Sequence, residues 1–221
     1  MFKSGDIYGP WWAHPFVMFD VETTGLDAES DRIVEMAFAR FENGEVVDTY
    51  GTFVYPEMVI PQEAAAIHGI DNAMVASAPT FVGCLHRMAA ICHGAWPAAY
   101  NADFDRQFWE AEMRRAGLPV DLTVMGSSLH RWIDPLVWVR NENGWGGNKL
   151  TVTAARMGID LTNAHRATDD AVAAGKVLIG MKSKMPTVTM IELLRRQEHY
   201  GKQHRDSIEK WLAGKRARGE R

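Results

Sequence analysis

Apolar and polar positions along this chain follow two periods, and each predicts a different kind of element. Phe16-Val17-Met18-Phe19 is a continuous apolar run that ends on Asp20-Val21-Glu22, the pattern of a strand. Side chains two apart on a strand share a face, so Asp20 and Glu22 point together while Val21 packs on the other side. Residues Ile33 to Glu42 and Val46 to Val54 are rich in β-branched and aromatic residues and are separated by Asn43-Gly44, a hairpin-turn signal. Three strands in a meander are therefore expected. Helical spacing takes over near Thr80 to His93 and again near Phe104 to Ala116, with a short apolar strand between them. The alternation is that of an α/β domain.

Two of the helices begin on carboxylates. After the run Ala95-Trp96-Pro97-Ala98-Ala99, the segment Tyr100-Asn101-Ala102-Asp103-Phe104-Asp105 leads into a helix that ends near Gly117-Leu118-Pro119. Helical turns from Asp105 reach Phe108, Trp109, Met113 and Ala116, so Asp105 starts the buried face. Asp103 falls on the opposite side, where its plain role is a helix N-cap. The segment Ala164-His165-Arg166-Ala167-Thr168-Asp169-Asp170 opens a helix running to about Met181. One turn back from its apolar face of Ala174, Val177, Leu178 and Met181 lies Asp170, whereas Asp169 aligns with Ala173, Lys176 and Gly180. Three separated segments thus supply four inward carboxylates and one histidine. Burying several like charges is prohibitive without cations, and an all-oxygen ligand set favours magnesium or manganese over zinc.

These motifs, in this order, resemble the DEDD 3′→5′ exonucleases of the DnaQ-like group, in the subclass whose third motif carries histidine (DEDDh). They are FDVETTG at Phe19 to Gly25, N-x-x-F-D at Asn101 to Asp105, and H-x-x-x-x-D at His165 to Asp170. The segment Ile67-His68-Gly69-Ile70, preceded by Pro61 and Glu63, is similar to the HGI element of that family. The resemblance spans roughly Phe16 to Met181 and takes in the proofreading exonucleases of the DNA polymerase III epsilon type. It implies a ribonuclease-H-like fold, a mixed five-stranded sheet flanked by helices, with a C-terminal helical extension. The expected division is an N-terminal lead (1–15), an exonuclease domain (16–182) and the extension (183–221), the last set off by its composition.

By the same resemblance, Asp20, Glu22, Asp105 and Asp170 hold two Mg²⁺ or Mn²⁺ ions. Asp20 bridges them, Glu22 and Asp170 complete the site on the nucleophile side, and Asp105 serves the other ion largely through waters. His165 is the general base. Thr23, Thr24, Glu63 and His68 match positions that meet the terminal nucleotide. Tyr100 departs from the pattern, since relatives often carry His there. The expected activity is hydrolysis of the 3′-terminal phosphodiester of DNA, at single-stranded or frayed ends, in proofreading, replication or repair. An exoribonuclease of the same fold and a noncatalytic nucleic-acid or polymerase-binding module are the alternatives. The intact set of carboxylates and His argues against the last.

Composition changes this picture little. With 221 residues, 47% hydrophobic and 24% charged, the chain is globular and long enough for one α/β domain and an appendage. No signal peptide or membrane span is visible, so a cytoplasmic protein is expected. Cys84 and Cys92 are the two cysteines, and their helical spacing with Phe81, Leu85 and Met88 makes them core residues rather than a metal or disulfide site. The segment Gly144 to Lys149 lacks a phosphate-loop pattern and reads as a flexible loop, where Trp145 is a candidate for stacking on a base and Lys149 for meeting a phosphate. Glu35 is expected to pair with Arg32 or a neighbour, Asp134 to cap a helix starting at Pro135, and Asp121 to lie in a connection.

Charge changes it more. The net charge is −4, so a nucleic-acid strand nearing the carboxylates is repelled unless cations are present, and weak, salt-sensitive binding is expected. After Met185-Pro186 basic residues outnumber acidic ones, and Met190, Leu194, Ile208 and Trp211 suggest one helix or two, broken near Gly201. That extension is a candidate grip on single-stranded 3′ ends, or a handle for a DNA polymerase or replication partner.

Overall fold

The expected meander forms because the alternation and the turn agree. In the computed structural model, which describes residues 8–119, 131–144, 146–161 and 166–218, β1 (Phe16–Thr23), β2 (Ile33–Glu42) and β3 (Glu45–Phe53) pair antiparallel in sequence order. Asn43 and Gly44 turn β2 into β3 with φ of 54° and 90°, the positive values this tight hairpin needs. A fourth strand, β4 (Trp96–Ala98), lies parallel to β1 on its other side, giving the order β3-β2-β1-β4. The sheet therefore has four strands among the described residues rather than five. Next to β4 a single parallel bridge joins Ala98 to Ile133, and Asp134-Pro135 starts a helix immediately afterwards, which leaves no room for a strand to continue there.

Helices cover both faces. Val17, Phe19, Val21, Met36 and Phe38 pack with α3 (Phe81–Cys92) and α4 (Ala102–Arg115), and Cys84 and Cys92 lie inside that core. Phe16, Met18, Ala37, Ala39 and Phe41 pack with α5 (Pro135–Asn143) and α7 (Ala167–Gly180). Two short helices, α1 (Gln62–His68) and α2 (Asn72–Val75), cap the end of the meander, and α6 (Leu150–Arg156) adjoins α7. The approach of α7 to the sheet is close. A Cβ on Gly175 would sit 2.1 Å from the Phe41 ring, so only glycine fits there.

Trp11 meets the segment between α7 and the last helix. Trp11 is fully buried, donates from Nε1 to the Met185 carbonyl at 3.2 Å and from its amide to the Val188 carbonyl at 2.9 Å. From Thr189, whose hydroxyl accepts from the Glu192 amide, α8 (Met190–Ala217) runs unbroken for 28 residues through Gly201. The break expected at Gly201 is absent, because one glycine costs a helix only about 1 kcal/mol. Met190, Leu193 and Leu194 are buried, whereas Trp211 and Leu212 on the distal half are exposed. Among the described residues no helix is long and apolar enough to cross a membrane.

Candidate active site

The site is built at one end of β1. Because Phe16 and Met18 face α7, the period of two puts Asp20 and Glu22 on that same face beyond the apolar run. From the first turn of α7, Asp170 reaches toward them. Ligand oxygens of Asp20, Glu22 and Asp170 lie within 4.8 Å of one another, forming a half-buried group able to hold a metal ion. Asp105 enters from the first turn of α4 at 3% exposure, and its Oδ1 accepts a hydrogen bond from the Val21 amide at 3.2 Å. That bond fixes Asp105 between the two carboxylate-bearing positions of the strand.

The electrostatics show a cluster short of positive charge. Burial pushes the Asp20 carboxyl well above its ordinary range, and Asp105, Asp170, Glu22 and Glu35 push it further. Glu22 is pushed up to about 7 by burial and by Asp170 and Glu35. Asp105 is raised well above the usual value by burial, against the opposing hydrogen bonds of its own amide and that of Val21. Carboxylates that resist ionisation together are the setting in which a divalent cation is bound most favourably.

Beside the cluster is a cleft of about 330 Å³ lined by Glu22, Thr23, Thr24, Leu26, Glu63, Ile67, His68 and Phe104 among others. All four candidate nucleotide contacts therefore line one cavity. Thr23 donates to the Gly25 carbonyl at 2.6 Å. The Thr24 hydroxyl donates to Asp31 and accepts from the Arg32 amide, both at 3.0 Å, and its amide donates to the Arg32 carbonyl at 2.9 Å. Thr24 thus holds the 24–32 loop. His68 is buried, and its Nδ1 accepts from the Ile70 amide at 3.0 Å, which orients the ring. Burial lowers its pKa, opposed by the nearby Thr23 backbone and the Glu35 charge, although Nε2 makes no hydrogen bond of ordinary geometry among the described residues. His165, Trp145 and Asp121 lie outside the described residues.

Asp103 and Glu35 take positions that differ from expectation, whereas Asp134 caps the helix at Pro135 and a helix starts at Leu150 as expected. Asp103 does not cap α4: its side chain is 72% exposed and pairs with Arg106, while Asn101 holds the cap position. The capping carboxylate is Asp134, which accepts from the Asn101 and Ala102 amides as well as from Leu136 at the start of α5. Glu35 pairs with Arg166, not with Arg32, which is bound by Glu112 and Glu57. Lys149 is the N-cap residue of α6, and Tyr100 ties the loop before it down by donating to the Asn148 carbonyl at 2.7 Å. Sequence reading also missed three residues beside the cluster: Leu26, 87% exposed at the mouth of the cleft, Phe104 on its wall, and Glu35. For Glu35 a signal existed, since it shares a strand face with Ala37, Ala39 and Phe41, where a charge is out of place.

The RNase_T exonuclease family matches residues 17–178, the span that contains the sheet, the cluster and the cleft. The chain belongs to this exonuclease family. It is 34% identical over 176 residues to a PolC-type DNA polymerase III of Caldanaerobacter subterraneus, covering 78% of this chain and 12% of that protein. A 3′-5′ exonuclease DinG of Bacillus subtilis is 29% identical over 191 residues, 84% of this chain and 20% of that protein. The chain thus spans a small fraction of the length of these relatives. Among solved structures, Exonuclease X in complex with 5′ overhanging duplex DNA superposes with a TM-score of 0.63 at 23% identity, over 82% of this chain and 99% of that one. The nuclease domain of 3′hExo, a DEDDh family member bound to rAMP, gives 0.67 at 18% identity, over 79% and 94%. The ribonuclease-H-like fold of the exonuclease domain is thereby shared with DEDDh exonucleases.

Proposed function

We propose that this exonuclease-family chain hydrolyses the terminal phosphodiester at the 3′ end of single-stranded or frayed DNA, releasing nucleoside 5′-monophosphates, in proofreading, replication or repair. The observation that carries the reading is the convergence of Asp20, Glu22 and Asp170 within 4.8 Å beside a cleft of about 330 Å³. Asp20, Glu22, Asp105 and Asp170 would hold two Mg²⁺ or Mn²⁺ ions, which supply charge neutralisation for in-line displacement and polarise the attacking water and the leaving oxygen. His165 accepts the proton of that water. The water oxygen bonds to phosphorus as the bond to the 3′ oxygen of the preceding nucleotide breaks, and that oxygen departs with the bonding pair and takes a proton from solvent water. An imidazole of ordinary pKa, about 6.5, can accept a proton at neutral pH, a contribution of roughly 10²–10⁴-fold.

The chain's own groups orient the substrate. Leu26 at the rim and Phe104 on the wall are placed to pack on the faces of the last bases, a contact that tolerates any sequence. Glu63, His68 and the Thr23-Thr24 backbone are the polar contacts proposed for the terminal sugar and phosphate. Trp145 and Lys149 remain proposed contacts for the incoming strand. From Gly201 onward, α8 and its C-cap residue Arg218 carry Lys202, Arg205, Lys210, Lys215, Arg216 and Arg218 against Asp206 and Glu209. This exposed basic half is proposed to grip the phosphates of the strand. Docking of a polymerase or replication partner there is the second use, suggested by the polymerase in which a similar chain segment occurs. Parallel digestion of 5′-labelled single-stranded DNA and RNA in magnesium tests the reading. A DNA ladder formed faster than an RNA ladder is expected, and the reverse order would assign an exoribonuclease.

A further inference from the structure

Glu35 is a buried carboxylate that the proposed chemistry does not use. It lies directly across the β1–β2 ladder from Glu22, on the face of the cluster, at 3% exposure. Like charges directly opposite on adjacent strands repel, and an apolar residue of similar volume there would serve the fold as well or better. Its partners explain where it sits. Arg166 Nη2 donates to Glu35 Oε1 at 3.0 Å, and the Ala167 amide at the start of α7 donates to Oε2 at 3.5 Å. The Arg166 guanidinium also lies 5.5 Å from the centre of the Phe53 ring on β3. The Arg166 carbonyl in turn accepts from the amides of Asp169 and Asp170 at 2.9 and 3.1 Å. A hydrogen-bonded chain therefore runs from the middle of the sheet, through Arg166, to the backbone of Asp170. Arg166 is also the residue next to His165.

We infer that Glu35 and Arg166 are a positioning pair, which clamps the start of α7 to the sheet so that Asp170 stays in reach of Asp20 and Glu22. The inference rests on the exonuclease reading for its effect on rate, and on the contacts alone for its effect on α7. Partners that orient the groups holding a metal typically matter by about 10–100-fold.

The test compares wild type with Glu35→Gln, Glu35→Ala, Arg166→Ala and the Glu35→Ala/Arg166→Ala double variant. It reads kcat and KM for shortening of 5′-labelled single-stranded DNA, and amide hydrogen exchange at Asp169 and Asp170. Glu35→Ala and Arg166→Ala should each lower kcat about 10–100-fold with KM within about threefold. Exchange at both amides should rise about tenfold or more, while exchange in β1 is unchanged. Glu35→Gln keeps an acceptor for Arg166 and should recover most of the rate. The double variant should be no slower than the slower single one. Because Arg166 is 55% exposed, its replacement keeps the test open if Glu35→Ala does not fold. Unchanged kcat and exchange in Arg166→Ala, or additive losses in the double variant, would overturn the inference. So would a lower melting temperature accompanied by undiminished kcat. Wild type that leaves DNA intact would refute the DNA exonuclease reading instead, and the exchange measurement would still decide whether the pair holds α7.

Discussion

The end of β1 and the distal half of α8 hold charge of opposite sign in opposite settings. At β1 the carboxylates are half-buried or buried, anchored by a strand and two helix starts, and burial first, then neighbouring carboxylates, drives up the pKa values of Asp20, Glu22 and Asp105. On α8 the cations are mostly exposed, and they lie beyond Tyr200, which packs on Trp138 and is the last residue of the helix set against the core. Fixed, desolvated charges of one sign define geometry and demand a specific counter-ion. Exposed cations define none, and their attraction to a polyanion is long in reach and weakened by salt. The comparison separates where the chain is proposed to react from where it is proposed to hold on.

Removing one charge from the buried group should have the largest effect. Asp20→Asn or Asp170→Asn should reduce 3′-end shortening by roughly 10³-fold or more, since several kcal/mol of charge stabilisation is involved at about 1.4 kcal/mol per tenfold. Titration with Mn²⁺, read by calorimetry, should show weakened binding in the same variants. Next comes His165→Ala, expected to lower kcat by about 10²–10⁴-fold while Mn²⁺ affinity holds. A parallel drop in affinity would make His165 a ligand.

The pH dependence of stability is expected to follow the raised carboxyl groups. Glu22 has an ordinary value of 4.5 and sits at about 7 in the fold, so between those values the folded state binds more protons than the unfolded one. Stability of the metal-free protein therefore falls as pH rises from about 4.5 to 7. Thermal melting in chelator should show this decline, and added Mg²⁺ or Mn²⁺ should raise the melting temperature most at the alkaline end of the window. A flat profile in both conditions would mean that the carboxylates are not a mutually repelling metal site.

The smallest effect is expected on α8. Replacing Lys202, Arg205, Lys210 and Lys215 with Gln should leave the melting temperature within a few degrees. For a single strand, the slope of log affinity against log salt should become shallower by about 0.7 for each phosphate that the helix ceases to neutralise. Unchanged affinity and slope would assign the helix to a protein partner instead.

What the sequence made legible follows from how local each signal is. The alternation of β1 and the Asn43-Gly44 turn depend on neighbouring residues alone, and so does the helical period that turned Asp105 and Asp170 inward. Each appears in the structure where the period put it. The cap of α4 was not legible from Asp103, because the capping oxygens come from Asp134, far along the chain. Glu35 was missed because its significance depends on the register that sets it opposite Glu22 and on Arg166 arriving from α7. At Gly201 the local breaker signal was outweighed by good helix formers on both sides. The number of strands was not legible either: beyond β4 the described residues add one bridge, Ala98 to Ile133, and Asp134-Pro135 then starts a helix. Residues that act through distant partners are thus the ones pattern alone underdetermines.

The most direct test of the central claim is shortening of 5′-labelled single-stranded DNA in magnesium by wild type and by Asp170→Asn, with chelator as the control. A ladder of 3′-shortened products is expected from wild type, and it should disappear in the variant and in chelator. A ladder of equal rate from both proteins, or none from wild type in either magnesium or manganese, would contradict the claim.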